Sequence, residues 1–392
     1  MPIDIERARA QTPGASERIH FNNCGAALMP TPVIEALKAH LDLEARLGGY
    51  EAAEVAAGAL EHSYDAVAQL LHCARDEVAI VENATIAWDM VFYALPFGPG
   101  ERILTSVSEY ASNYIAYLHV AQKTGARVEV VPDDLHGQVD VSALEDMLDE
   151  RVKLISLVHV PTNGGLVNPA ARVGALARAH GIPFLLDACQ SAGQLPLDVE
   201  ALHVDALVAT GRKYLRGPRG AGFLYVRRAW LERLEPPFLN LHSANWTARD
   251  RFEVRSDARR FETWERSAAS HIGLGVAVDY ALEWGLEAIC ERVTQLGALM
   301  RLRLVEVEGV SVHDKGQHKC GIVTFSAGRK TPQQIKAGLR QRGINVWLSP
   351  RSSTLLDMGR RDLDVIVRAG LHYYNTEEEI ERFIVALNRV LN

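Results

Sequence analysis

Asp187 and Lys213 are the two residues of this sequence best placed to do chemistry. Asp187 directly follows an apolar run, in Phe184-Leu-Leu-Asp187-Ala-Cys-Gln190. Lys213 comes just after the next such run, in Val204-Asp-Ala-Leu-Val-Ala-Thr210-Gly-Arg-Lys213, and Gly217-Pro218 shape the chain behind it. An acid after a strand is commonly a turn residue or helix cap, and a lone lysine is usually a solvated charge. The pair carries more. The two are 213 − 187 = 26 residues apart, room for one turn, one short crossover and one strand, so sequential strands can deliver both to one ligand. A lysine amine condenses with an aldehyde, and a carboxylate keeps a neighbouring ring nitrogen protonated. Together with donors for a phosphate, these are the demands of pyridoxal 5'-phosphate (PLP). In an open α/β sheet such groups belong at the carboxyl ends of strands.

The surrounding elements alternate as such a sheet requires. Strand-like runs at Val78–Val81, Arg102–Ser106, Ala126–Val131, Lys153–Val160, Pro183–Leu186, Ala206–Ala209 and Gly222–Val226 are interleaved with helical patterns at Ala84–Ala94, Asn113–Thr124, Val141–Leu148 and Ala170–His180. Short apolar runs between helices predict a mostly parallel sheet covered on both faces. From Ser267 the pattern changes. Two long amphipathic helices (Ser267–Leu286, Glu287–Glu306) precede strand-like runs at Gly321–Ser326, Ile344–Leu348 and Val365–Ala369, a helix at Thr331–Arg342 and a closing helix at Thr376–Leu391, where Thr376 and Glu379 fit a capping box. The expected organisation is an N-terminal segment 1–30 that contributes to the site, a large α/β domain over 31–260, and residues 261–392 with the long helices and a small α+β domain.

Composition excludes several other classes. Hydrophobic residues at 48% and charged residues at 23% describe an ordinary globular protein, and a net charge of −7 argues against a nucleic-acid partner. The arginines of Arg249–Arg260 are interleaved with Asp250, Glu253 and Asp257, the mark of a solvated or interface face. Five dispersed cysteines with no C-x-x-C spacing suit a reducing compartment, and no metal site is expected. No apolar run approaches the roughly 18 residues of a membrane span, and the opening residues have no signal-peptide core. A cytoplasmic enzyme acting on a small molecule is expected.

The motifs resemble those of class V aminotransferases, a fold-type I family that includes cysteine desulfurases, C–S lyases and isopenicillin N epimerase-like proteins. Thr210-Gly-Arg-Lys213-Tyr-Leu-Arg-Gly-Pro-Arg-Gly220 is similar to the family's Ser-Gly-His-Lys…Gly-Pro-x-Gly. Asp187-Ala-Cys-Gln190 is similar to its Asp-x-x-Gln, and Arg368 with Tyr374-Asn-Thr-Glu-Glu-Glu379 to its C-terminal Arg…Tyr-Asn-Thr-x-x-Glu. With Phe21-Asn-Asn23 the resemblance spans nearly the whole chain. It implies a large domain around a mostly parallel seven-stranded sheet plus a small α+β C-terminal domain. It also implies roles: Lys213 as Schiff-base lysine and proton shuttle, Asp187 on the pyridinium nitrogen, Gln190 on the ring hydroxyl. Ala84 and Thr85, opening a helix, would hold the phosphate with Thr210 and Arg212. Arg368 would bind the substrate α-carboxylate as a bidentate fork, with Asn23 and Tyr50 also at the substrate.

Departures from the family pattern are informative. Arg212 stands where many relatives have His, and Tyr110 is the candidate for the ring-stacking side chain, although a gapless reading puts Ala111 there. In His159-Val-Pro-Thr162-Asn163, either Thr162 or Asn163 could face the cofactor. Thr263 would replace the phosphate-binding threonine that relatives supply from a partner subunit, which implies a homodimer with shared sites, joined through Arg259–Trp264. Most telling, the loop Asn345–Thr354 offers Ser352 and Ser353 where a cysteine desulfurase needs a nucleophilic cysteine. The expected reaction begins with abstraction of an amino acid's α-proton. It leans to a C–S β-lyase on a cysteine-derived substrate without an enzyme persulfide, with an aminotransferase, a racemase or epimerase, and a catalytically silent PLP-binding protein as alternatives.

Overall fold

The apolar runs become strands buried on both faces. In the computed structural model, which describes residues 3–392, β1 (Val78–Val81), β2 (Arg102–Ser106), β3 (Arg127–Val131), β4 (Val152–Val158), β5 (Phe184–Asp187), β6 (Ala206–Thr210) and β7 (Gly222–Val226) form a seven-stranded sheet in the order β1-β7-β6-β5-β4-β2-β3. The strands from β2 to β6 pair in parallel, and β7 is antiparallel to both β6 and β1. A parallel crossover takes a dozen or more residues and usually a helix. The helix-free stretch Gly211–Ala221 instead returns the chain directly. Only the edge strand β3 shows residues to solvent along most of its length, as an edge position predicts.

The longer helices are α1 (Thr31–Leu47), α2 (Ala57–Leu71), α3 (Ala84–Phe92), α4 (Ala111–Thr124), α5 (Ala170–Ala179), α6 (Ala268–Trp284), α7 (Leu286–Val305), α8 (Pro332–Gln341) and α9 (Glu377–Leu391), and shorter ones include Val141–Asp146. Helices cover both faces of the sheet and close two apolar clusters, one around Phe184, Leu186 and Phe223 and one around Trp88, Phe92 and Leu185. α6 packs against α1 and α2. Its small residues permit close approach: a Cβ on Gly275 would lie 2.5 Å from Ser63 Oγ of α2.

Between the sheet and α6 the chain projects an antiparallel hairpin, β8 (Ala244–Ala248) and β9 (Arg251–Val254), with Trp246 and Phe252 exposed. Beyond α7, β10 (Val310–Val312), β11 (Ile322–Ala327), β12 (Trp347–Pro350) and β13 (Val365–Gly370) make a second, antiparallel sheet in the order β10-β11-β13-β12. Its apolar face meets α7, α8 and α9 through Met300, Phe325, Leu339, Val367 and Phe383. The capping box of α9 is formed: Thr376 Oγ1 accepts from the Glu379 amide at 3.1 Å, and Glu379 accepts from the Thr376 amide at 3.2 Å. Near the N-terminus, Ile19–His20 pairs in parallel with Ile344–Asn345, and Asn22 bridges to Gly370. This pairing lays the following residues, Asn22 to Ala26, beside β13. Among the described residues no helix is long and apolar enough to cross a membrane.

Candidate active site

Asp187 ends β5, between Val158 of β4 and Val208 of β6, so its carboxylate emerges at the carboxyl edge of the central strands. Lys213 arrives from the neighbouring strand on a connection closed at its base. Thr210 pairs with Gly222, and the Gly211 amide donates to Ala221 O at 3.0 Å. Within it, the Gly217 amide donates to Gly211 O (2.8 Å), the Arg216 amide to Lys213 O (2.9 Å), and Arg216 takes a left-handed φ of 59°. The segment behind Asp187 locks onto this connection. Gly193 has φ 90°, and a Cβ there would lie 2.4 Å from the Tyr214 carbonyl carbon, an approach open only to glycine.

Two adjoining cavities meet at Lys213. The inner one, about 370 Å³, is lined by Asn83, Ala84 and Thr85 at the start of α3, by Thr210, and by Asp187, Cys189 and Gln190. The outer one, about 490 Å³, holds Arg368, Arg219, Asn22, Trp347, Ser349 and Ser353. Tyr110, Thr162, Arg212 and Lys213 border both. Burial, with Arg212 and Arg368 adding to it, lowers the pKa of the Lys213 ammonium, while Asp187 opposes the shift. Burial likewise lowers the Arg212 pKa. The guanidinium stays charged at neutral pH, and it is the shift at Lys213 that favours an amine able to shed its proton.

Asp187 is held from two sides. Its Oδ1 accepts from the Cys189 amide at 2.9 Å and its Oδ2 from Asn113 Nδ2 at 3.1 Å. The same Asn113 amide group donates to Glu109 Oε1 at 3.0 Å, so one side chain bridges two buried carboxylates. Glu109 also accepts from Thr105 Oγ1 (2.6 Å), the Tyr110 amide (2.8 Å) and Tyr117 OH (3.2 Å). Even so, burial, with Asp187 nearby, pushes its carboxyl up to about 7. Glu109 and Asn113 stand four residues apart where β2 leads into α4. That spacing was the signal for their role, which the resemblance did not supply.

The residues expected at the site divide into two groups. Lys213, Asp187, Gln190, Ala84, Thr85, Thr210, Arg212, Tyr110 and Thr162 all line the inner cavity, and Arg368 the outer one. Arg368 Nη1 donates to Thr162 O at 2.8 Å, so β13 brings the arginine to the cavity wall. Asn163 turns away and donates to Asp357 at 2.7 Å. Asn23 is fully buried, donating to Gly370 O (2.8 Å) and accepting from Tyr374 OH (2.6 Å); its neighbour Asn22 reaches the cavity instead. Tyr50 is exposed and borders a separate cavity with Trp264, His242 and Arg266. Thr263 donates to Glu82 and lies outside the inner cavity of its own chain.

The donor set fits PLP. A helix N-terminus with a threonine hydroxyl and a guanidinium would hold a phosphate, the Asp187 carboxylate would serve a ring nitrogen, and a lysine lies between the cavities. Gln190 Oε1 and Arg368 Nε are both buried with no partner of their own, polar atoms that a cofactor and an amino-acid substrate would satisfy.

Comparison with known proteins agrees with this geometry. Residues 19–383 match the family model described as aminotransferase class-V. A probable cysteine desulfurase of Xylella fastidiosa is 31% identical, over 99% of this chain and 95% of its own length. The cysteine desulfurase structure from Thermococcus onnurineus superposes with a TM-score of 0.92 at 28% identity, covering 100% of this chain and 98% of its own. The cystine C–S lyase C-DES, solved with its reaction product cysteine persulfide, gives 0.87 at 25% identity over 96% and 99% of the two chains. The chain belongs to the class V aminotransferase family and is a PLP-dependent enzyme of fold-type I.

Proposed function

We propose that this enzyme is a C–S β-lyase that cleaves a cysteine-derived amino acid without passing sulfur to an enzyme cysteine. The observation that carries the reading is the outer cavity's loop, which presents Ser349 and Ser353 and no thiol. Two cysteines border the cavities, and neither is placed as a sulfur acceptor. Cys24 is buried and backs onto Gly370, where an added Cβ would meet its Sγ at 2.6 Å. Cys189 lies against Asp187, and burial followed by that negative charge pushes its thiol pKa far up, the reverse of what a nucleophilic thiolate needs. The relatives named cysteine desulfurase and cystine C–S lyase support cleavage at a carbon–sulfur bond.

Bound PLP supplies the electron sink that makes an α-proton removable. Arg368 fixes the substrate carboxylate, and Thr162 fixes Arg368. Lys213, its pKa lowered, accepts the α-proton. The Cβ–S bond then breaks with its electron pair on sulfur, and the remaining carbons leave as pyruvate and ammonia after addition of water. Asp187, oriented by Asn113 and the Cys189 amide, would pair with the cofactor's ring nitrogen.

The test is a product assay with S-substituted cysteines and mass spectrometry of the enzyme after turnover. Pyruvate without a sulfur adduct on any cysteine, and with activity largely retained in Ser352→Ala, fits the proposal. Ser352 is exposed and does not line the cavity. Exchange between an amino acid and a keto acid with no pyruvate formed would replace the lyase by an aminotransferase. The working form is a homodimer in this reading, supported by the exposed aromatics Trp246, Phe252 and Trp264 and by Thr263 standing outside its own cavity. A fully active monomer would refute that part.

A further inference from the structure

The outer cavity holds more positive charge than an ordinary cysteine can answer. Three guanidiniums border it, Arg212, Arg219 and Arg368, beside the Lys213 amine, and no aspartate or glutamate does so among the described residues. The guanidiniums are close enough to be felt: Arg219 and Arg368 each help to lower the pKa of Arg212. Like charges gathered in one concave space repel, and they are tolerated where anions bind between them.

The cations can be matched to anions one at a time. Arg212 borders the inner cavity beside Thr210 and the α3 N-terminus, so it belongs with the cofactor phosphate. Arg368, buried against Thr162, belongs with the α-carboxylate. Lys213 is the covalent attachment point. Arg219 remains. It borders the outer cavity and not the inner one, is exposed, and has no ion-pair partner among the described residues. Its backbone is set by Pro218 before it and by Gly220 behind it at φ 78°, so the side chain leaves a constrained loop toward the cavity. Opposite stand Trp347 and Leu348, and the volume of about 490 Å³ exceeds what a bare cysteine side chain fills.

We infer that the substrate's side chain ends in a second anionic group, a carboxylate or an oxidised-sulfur acid, which Arg219 binds across the outer cavity. The inference rests on the lyase reading for the word substrate, but the binding preference stands on the cations alone.

Both can be tested apart with the PLP-loaded enzyme and two conjugates of similar size, S-(2-carboxyethyl)-cysteine and the uncharged S-butyl-cysteine. Binding is read from the change in cofactor absorbance, and turnover from pyruvate. The charged conjugate should bind about tenfold or more tightly, the value of one charge-assisted hydrogen bond, and Arg219→Gln should bring the two affinities to near equality. Salt should weaken the preference, since the pair is solvent-accessible. Equal affinity for both conjugates in the unaltered enzyme, no binding of either, or a preference that survives Arg219→Gln would overturn the inference. A preference in binding that Arg219→Gln removes, but with no pyruvate formed, would uphold it and defeat the lyase reading instead.

Discussion

Glu109→Gln gives a stability change whose sign depends on pH. Glu109 is buried beneath Asp187, and its carboxyl is raised from 4.5 to about 7. A group raised in this way adds stability that is complete below its unfolded value and is lost as pH climbs through its folded value. The interval is 7 − 4.5 = 2.5 pH units, which corresponds to about 3 kcal/mol at about 1.36 kcal/mol per unit. Between pH 4.5 and 7 the unaltered protein therefore loses about 3 kcal/mol through this residue. Glutamine resembles the protonated acid in shape and cannot ionise, so the variant has no such slope. The Tyr110 and Asn113 donors still find an acceptor at Oε1, and the Thr105 and Tyr117 hydroxyls can rotate to accept from the new amide. The assay is urea unfolding of the cofactor-free protein at several values between pH 5 and pH 8, with the two profiles subtracted so that every other titrating group cancels. From pH 5 to pH 8 the variant should gain about 2.5 kcal/mol on the parent, the rest of the difference having opened below pH 5. Parallel profiles, or a variant that falls further behind as pH rises, would refute the reasoning.

Three further outcomes follow from the same geometry. Lys213→Ala should fold and bind PLP without covalent attachment, so that borohydride no longer traps the cofactor; borohydride-stable PLP at this site would falsify the assignment. Asp187→Asn should retain PLP but turn over roughly a hundredfold to a thousandfold more slowly, since an electrostatic contribution of this kind is worth about 3 kcal/mol or more; steady-state kcat decides it. Arg368→Ala should raise KM by roughly tenfold to a hundredfold through loss of a charge-assisted carboxylate contact, with a smaller effect on kcat.

The large sheet was legible because its strands are buried on both faces. An apolar run marks every strand but the edge strand β3, whose residues are mostly exposed, and β1, β2 and β7 have the bounds read from the sequence. The hairpin β8–β9 was not legible, because its residues are mostly exposed and obey no burial pattern. α1 and α2 also went unassigned. At the site, motifs gave the right neighbourhoods, while consecutive residues pointed in different directions. Thr162 faces the cavity and Asn163 faces Asp357; Asn22 reaches the cavity and Asn23 is used up on Gly370 and Tyr374. Tyr50 lies at another surface of the same chain. Arg219 stands in a motif that gives it no role, since its position at the outer cavity depends on β12 and β13 arriving from residues far along the chain.

The closed base of the Lys213 connection makes the lysine a tethered reagent. With Gly211 bonded to Ala221, Gly217 to Gly211 and Gly193 seated against Tyr214, the backbone beneath the side chain is a fixed pivot, and the motion left to the amine is rotation about its own methylene bonds. In the proposed reaction a substrate amine would take the place of Lys213 on the cofactor, and the lysine would stay within a side chain's length of the point it left. Its return is an intramolecular step, governed by a high effective concentration in place of a diffusional search. In that reaction the same pivot would keep the amine over one region of the substrate, and proton delivery and product release would draw on a single short arm whose reach is set by the strand pairing below it.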